Sequence, residues 1–160
     1  MKRHFTATGF VVDGDRTLLL WHQRLGMWVP PGGHIDEDED PVMAVLREVR
    51  EETGLETEVI TGDRTLPIDY PEQVQSPYTI LVEDISGPGE PHKHIDFIYF
   101  CRPLNGGAEA LACDTSACWV DEATLRANDG DALAACGIQG GLAEDVRLLA
   151  LKAIEAARGC

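Results

Sequence analysis

GGHIDEDEDPVMAVLREVREETGL, residues 32–55, opens on paired glycines, runs through an acidic segment and closes on Gly54-Leu55. Residues 41–53 are predicted to be helical. Pro41 suits the first turn, Asp40 is placed to cap the N-terminus, and Gly54 is placed to end the helix. Val42, Val45, Leu46 and Val49 recur at i, i+3, i+4 and i+7, the stripe of a helix laid on a core. Glu48, Glu51 and Glu52 recur at i, i+3 and i+4, so their carboxylates share a different face within one turn. Like charges at that spacing repel by a few tenths of a kcal/mol per pair, on the order of 0.2–0.5. A solvated face relieved by Arg47 and Arg50 is one reading. A divalent cation is the other: clustered carboxylates without cysteine or clustered histidine are hard oxygen donors, suited to Mg²⁺ or Mn²⁺ rather than zinc. Gly32-Gly33 would let backbone approach such a ligand closely, with a bare carbonyl as a further donor.

Outward from this stretch, residues 4–13 and 17–22 read as strands joined at Asp13-Gly14, a hairpin signal. PPGG, residues 30–33, predicts an irregular turn. Glu58–Ile60 and Tyr78–Val82 are short predicted strands, separated by Pro67, Pro71 and Pro77, and SGPGEP at 86–91 is a turn-rich loop. His94–Cys101 is the clearest later strand. Trp119-Val120 is a short apolar piece, and DEATL after it starts a short helix. Residues 142–157 are predicted to form a final helix facing the core with Val146, Leu149, Leu151 and Ile154. Strands, helix, strands, helix without repeat or long linker imply one α/β domain over residues 1–160, a mixed sheet with helices packed on it.

The chain has 160 residues, of which 13 are basic and 28 acidic, for a net charge of −15. Such a surface repels nucleic acid and anionic membranes, and repels phosphorylated small molecules unless a bound cation reverses the sign locally. No apolar run is long enough to cross a membrane as a helix, and the N-terminus MKRHFTATGF does not read as a signal peptide, so a cytoplasmic location is expected. Cys101, Cys113, Cys118, Cys136 and Cys160 are odd in number and are expected to be free thiols.

Gly33, Glu39, Arg47, Glu48, Val49, Glu51, Glu52, Gly54 and Leu55 fill every fixed position of the pattern G-x5-E-x7-R-E-U-x-E-E-x-G-U, where U is bulky and apolar. This stretch resembles the Nudix box, and WVPPGGHID before it is similar to the family's lead-in, with Asp36 where glutamate is more usual. The box covers residues 33–55. The resemblance implies an α/β/α sandwich with a mixed sheet. It implies a divalent-metal-dependent hydrolase acting on a nucleoside diphosphate linked to another moiety, or on a nucleotide. By position in the motif, Glu48, Glu51, Glu52 and the Gly33 carbonyl would hold Mg²⁺, with Mn²⁺ a possible substitute. Arg47 would orient a glutamate, Glu39 would support the loop–helix geometry, and Glu52 or Glu48 would take the proton of the attacking water. A homodimer is a family-level expectation.

The resemblance leaves alternatives. A non-catalytic Nudix-fold binding or regulatory module is one, opposed by the intact carboxylate set. An isopentenyl diphosphate isomerase-like enzyme would need a catalytic cysteine before the box, where there is none. RNA decapping is disfavoured by the missing basic patch. Asp114 is the candidate for a further carboxylate from a late loop, with Glu83 or Asp84 as fallback. His34, directly after the glycines, is favoured over His22 and Arg24 for touching phosphate. His92, His94 and Asp96 alternate, and so share one face of an extended segment. Both metal binding there and substrate contact through His94 or Lys93 are candidate roles. Among Trp28, Tyr70, Tyr78 and Tyr99, Tyr70 is the least core-like aromatic.

Overall fold

The computed structural model describes residues 1–60, 64–87, 89–104, 111 and 116–159. The strands are β1 (Arg3–Asp13), β2 (Arg16–His22), β3 (Met27–Val29), β4 (Gly32–His34), β5 (Thr57–Val59), β6 (Thr79–Ile85), β7 (His92–Pro103) and β8 (Ala117–Asp121). The helices are α1 (Pro41–Thr53), α2 (Glu122–Ala127), α3 (Gly130–Ala135) and α4 (Glu144–Arg158). β1 and β7 run parallel through the middle, in register from Arg3 opposite Lys93 to Val11 opposite Cys101. The other pairings are antiparallel, so the sheet is mixed.

Alternation along β1 and β7 builds two cores. Ala7 and Val11 join Tyr99 and Cys101 beneath Ala44, Val45 and Val49 of α1. Phe10 and Val12 join Ile98 and Phe100 on the other face, beneath Val146, Ala150, Ala153 and Ile154 of α4. Successive side chains of a strand point to opposite faces, so one strand serves both layers. The result is the expected α/β/α arrangement. Gly9 lies on the α1 face, where an added Cβ would be 2.9 Å from a Val45 methyl and 3.1 Å from a Val49 methyl. Its missing side chain sets how closely the helix lies on the sheet.

α1 spans the residues its sequence predicts. Asp40 accepts from the N–H groups of Val42 at 2.8 Å and Met43 at 2.9 Å, a cap that contributes about 1 kcal/mol. Gly54 ends the helix at φ 75° and donates to the Arg50 carbonyl. The Asp13-Gly14 turn also forms, with Gly14 at φ 64° between Asp13 and Arg16, which pair directly.

Several boundaries differ from expectation. PPGG is not wholly irregular, because Gly32 and Gly33 enter β4 against Thr8 and Ala7 of β1. A Cβ on Gly32 would lie 2.7 Å from the Ala7 carbonyl, so glycine alone lets the backbone reach that register. β7 extends beyond residues 94–101 at both ends, because β1 pairs with its N-terminal part and β5 with its C-terminal part. α4 faces the core with Val146 and Ile154 as expected, joined by Ala150 and Ala153, while Leu149 and Leu151 pack at its margin. α3 has no counterpart in the sequence reading. Its Asp129 cap and single buried Leu133 are too short a signal.

Overpacking a filled interface costs roughly 1–3 kcal/mol. Gly9→Val should therefore lower the urea midpoint by the equivalent of about that amount, with an unchanged slope. An unchanged midpoint would show that α1 does not rest on Gly9.

Candidate active site

The site is built where the C-terminal half of α1 passes over β4. Glu48, on the helix, places its carboxylate against Gly33: a Cβ there would lie 2.3 Å from Oε1 and 2.8 Å from Oε2. One turn later Glu52 accepts the Gly32 N–H at 3.0 Å. Two box glutamates thus reach the paired glycines: Gly32 has backbone where a side chain would stand, and at Gly33 that space is filled by the Glu48 carboxylate.

Arg47 organises the rest. Its Nε and NH2 groups donate to the two oxygens of Glu39 at 2.6 and 2.8 Å, a bidentate pair. NH1 donates to Glu48 at 2.9 Å and to Glu51 at 3.3 Å. NH2 also donates to the His34 carbonyl at 3.0 Å and lies 3.7 Å from Asp36. Glu39 in turn accepts the Asp36 N–H, which closes the loop onto the helix. The guanidinium beside Glu39 holds that carboxyl below its ordinary range, against the opposing effect of desolvation. Glu52 is shifted up. The surrounding protein desolvates it, Glu48 and Glu51 repel its charge, and the Gly32 N–H only partly compensates. Its side chain nevertheless keeps solvent contact at the helix end.

Glu39, Arg47, Glu48, Glu51, Glu52 and Gly33, which the sequence singles out, are therefore brought together. The side-chain metal donors at the paired glycines are carboxylate oxygens, and the repulsion among Glu48, Glu51 and Glu52 is the kind a hard divalent cation relieves. In donor chemistry the set is of the kind that a divalent metal takes.

Other candidates lie elsewhere. Asp114 is outside the described residues, as are Cys113 and Cys160. Glu83 pairs in register with His94 and Asp84 with Lys93, so the two face opposite ways. Asp84 is held by Lys93 at 2.5 Å. Glu83 shares the α4 face with Asp96, across the sheet from Glu48. Burial first, then repulsion by Asp96 and Asp145, pushes its carboxyl up to about 7. Asp96 is buried and accepts from the hydroxyls of Thr6 at 2.9 Å and Thr8 at 2.8 Å. Of the aromatics, Trp28 and Tyr99 are core residues. Tyr78 stacks on Phe100, and Tyr70 is 87% exposed. Cys101, Cys118 and Cys136 are free of disulfides, and burial pushes the Cys101 thiol up to about 12, which leaves it inert.

His34 and His94 belong to one cluster with His92 and with His4, a residue that no motif or spacing links to them. Ring centroids lie 4.7 Å apart for His4 and His92, 5.1 Å for His34 and His94, and 5.1 Å for His92 and His94. Only the parallel pairing of β1 with β7, which sets His4 opposite His94, brings His4 in. Desolvation, followed by the neighbouring imidazoles, lowers His94 to about 4.

The profile of the NUDIX domain matches residues 2–136. The chain belongs to the Nudix family. Over 39 residues it is 59% identical to an RNA pyrophosphohydrolase of Gluconacetobacter diazotrophicus, a match covering 24% of this chain and 23% of that protein. It is 30% identical over 77 residues to an 8-oxo-dGTP diphosphatase of Proteus vulgaris, covering 45% of this chain and 69% of that one. The fold is that of a Clostridium perfringens NUDIX-family hydrolase, with a TM-score of 0.68 at 24% identity over 98% of this chain and 99% of the other. No helix among the described residues is long and apolar enough to cross a membrane.

Two pH dependences follow from these shifts. Glu39, depressed below its unfolded value of 4.5, contributes stability that is present above that value and lost as pH falls through the lower folded one. Glu39→Gln should flatten the acid limb of the Tm–pH curve, and an unaltered limb would contradict the Arg47–Glu39 assignment. Glu83 works with the opposite sign. Its raised folded value removes stability as pH climbs from 4.5 to about 7. Glu83→Gln should raise Tm at pH ~8 more than at pH ~4, the two sides of that window, and an equal change at both would refute the shift.

Proposed function

We propose that this protein is a divalent-metal-dependent pyrophosphohydrolase that cleaves a diphosphate linkage in a small, nucleotide-derived substrate. The observation that carries the reading is the convergence of Glu48 and Glu52 on Gly33 and Gly32, with Arg47 between Glu39, Glu48 and Glu51. The names of the related proteins, a pyrophosphohydrolase and a diphosphatase, support the same reaction class. The first of those relatives is matched over 23% of its length, so its RNA substrate is not carried over. The charge of −15 favours a small substrate over a polyanionic strand.

Glu48, Glu51, Glu52 and the Gly33 carbonyl would hold Mg²⁺, or Mn²⁺ in its place. When bound, the cation offsets the negative charge on the diphosphate oxygens during attack by water. Glu52 is assigned the proton of that water. Its carboxyl is raised toward the working pH, and its link to the Gly32 N–H fixes its position. Arg47 is a positioning residue that keeps Glu48 over Gly33 while Glu39 anchors the guanidinium. Backbone held this way spends no free energy on ordering during the reaction. The exposed apolar side chains of Phe5, Ile80 and Val82 support the further expectation of a homodimer.

Glu52→Gln tests the assignment. With Mg²⁺ or Mn²⁺ and a panel of nucleoside diphosphate derivatives and nucleotides, release of phosphate products should fall by at least about 100-fold, the lower range for a lost general base. Undiminished release by the folded variant would place the chemistry elsewhere.

A further inference from the structure

We propose that His4, His92 and His94, with His34 at their edge, form a second metal site, an imidazole site for one borderline transition-metal ion of the Zn²⁺ class. It differs from the carboxylate set in donor chemistry and in position. Gly33 and His34 are neighbours in β4, and strand alternation turns them to opposite faces of the sheet. Glu48 covers Gly33 on the α1 side. The His34 ring meets His4 and His94 on the other side, the face shared by Thr6 and Asp96.

Three strands converge to make this cluster. His4 of β1 pairs with His94 of β7, His92 follows on the same face two residues away, and β4 sets His34 opposite Thr6. One ring nitrogen from each of His4, His92 and His94 lies within 4.8 Å of the others. The Nε2 atoms of His92 and His94 are 3.2 Å apart, and His34 Nε2 is 3.4 Å from His4 Nδ1. Around a tetrahedral ion with metal–nitrogen bonds of about 2.0–2.1 Å, neighbouring nitrogens stand roughly 3.3–3.4 Å apart. That spacing already holds between His92 and His94 within the group, and between His4 and His34 at its margin. Imidazole donors select zinc, nickel or copper over magnesium, so the ion would differ from the one proposed for the carboxylates. The donors come from β1, β4 and β7, and an ion there would tie these three strands together at one end of the sheet.

This proposal does not depend on the hydrolase reading, and its test does not measure hydrolysis. The full chain is stripped with chelator and titrated with Zn²⁺ by calorimetry in excess Mg²⁺, which saturates carboxylate sites. The same titration is run on His92→Gln/His94→Gln, on His4→Gln and on Glu51→Gln/Glu52→Gln, with folding followed by far-UV circular dichroism. The wild type should bind a single Zn²⁺ equivalent. Affinity should fall at least about tenfold in the histidine variants and persist in the glutamate variant. Should the double variant fail to fold, the single His4→Gln variant decides. Absence of zinc binding, binding unchanged in the folded histidine variants, or loss confined to the glutamate variant would each overturn the proposal.

Discussion

Arg47 is one cation among Glu39, Glu48 and Glu51, with Asp36 nearby, in a chain whose net charge is −15. The guanidinium fork meets Glu39 bidentately and still has donors for Glu48, Glu51 and the His34 carbonyl. A lysine has no such geometry. Through this one side chain the acidic loop, the helix and β4 are fixed to each other. The carboxylates gain a counter-charge that does not use up their oxygens, and Glu52, which Arg47 does not touch, keeps its raised proton affinity.

A second constraint is steric and acts through absent side chains. Gly9 admits α1 onto the sheet, Gly32 admits β4 onto β1, and Gly33 admits the Glu48 carboxylate. In each case a Cβ would come within 3.0 Å of an atom already in place. The first contact sets the layer spacing, and the other two set the depth of the site. Packing and function use the same device here.

The sheet also partitions chemistry. Helix α1 brings the carboxylates of Glu48 and Glu52 to the paired glycines on one side, while alternation along β1, β4 and β7 sends the imidazoles, with buried Asp96 and half-buried Glu83, to the α4 side. Two polar clusters therefore lie close in sequence, at Gly33 and His34, with a layer of backbone between them. Arg47 bridges the two at one point, through the His34 carbonyl.

What the sequence determined by itself was local. Asp40, Pro41 and Gly54 are short-range signals, and they mark the ends of α1 correctly because capping depends on neighbouring backbone groups. The spacing of Arg47, Glu48, Glu51 and Glu52 also settles, within one turn of helix, that the carboxylates gather. Tertiary structure decided whatever required strands distant in sequence to meet. That Gly32-Gly33 is strand rather than turn depends on β1 lying alongside it. That His4 joins His92 and His94 depends on a parallel register across about ninety residues, as does the burial of Asp96 between Thr6 and Thr8. A spacing motif records contacts along a helix. It carries no record of which strand will lie beside which, since that is chosen by the burial of both sheet faces at once.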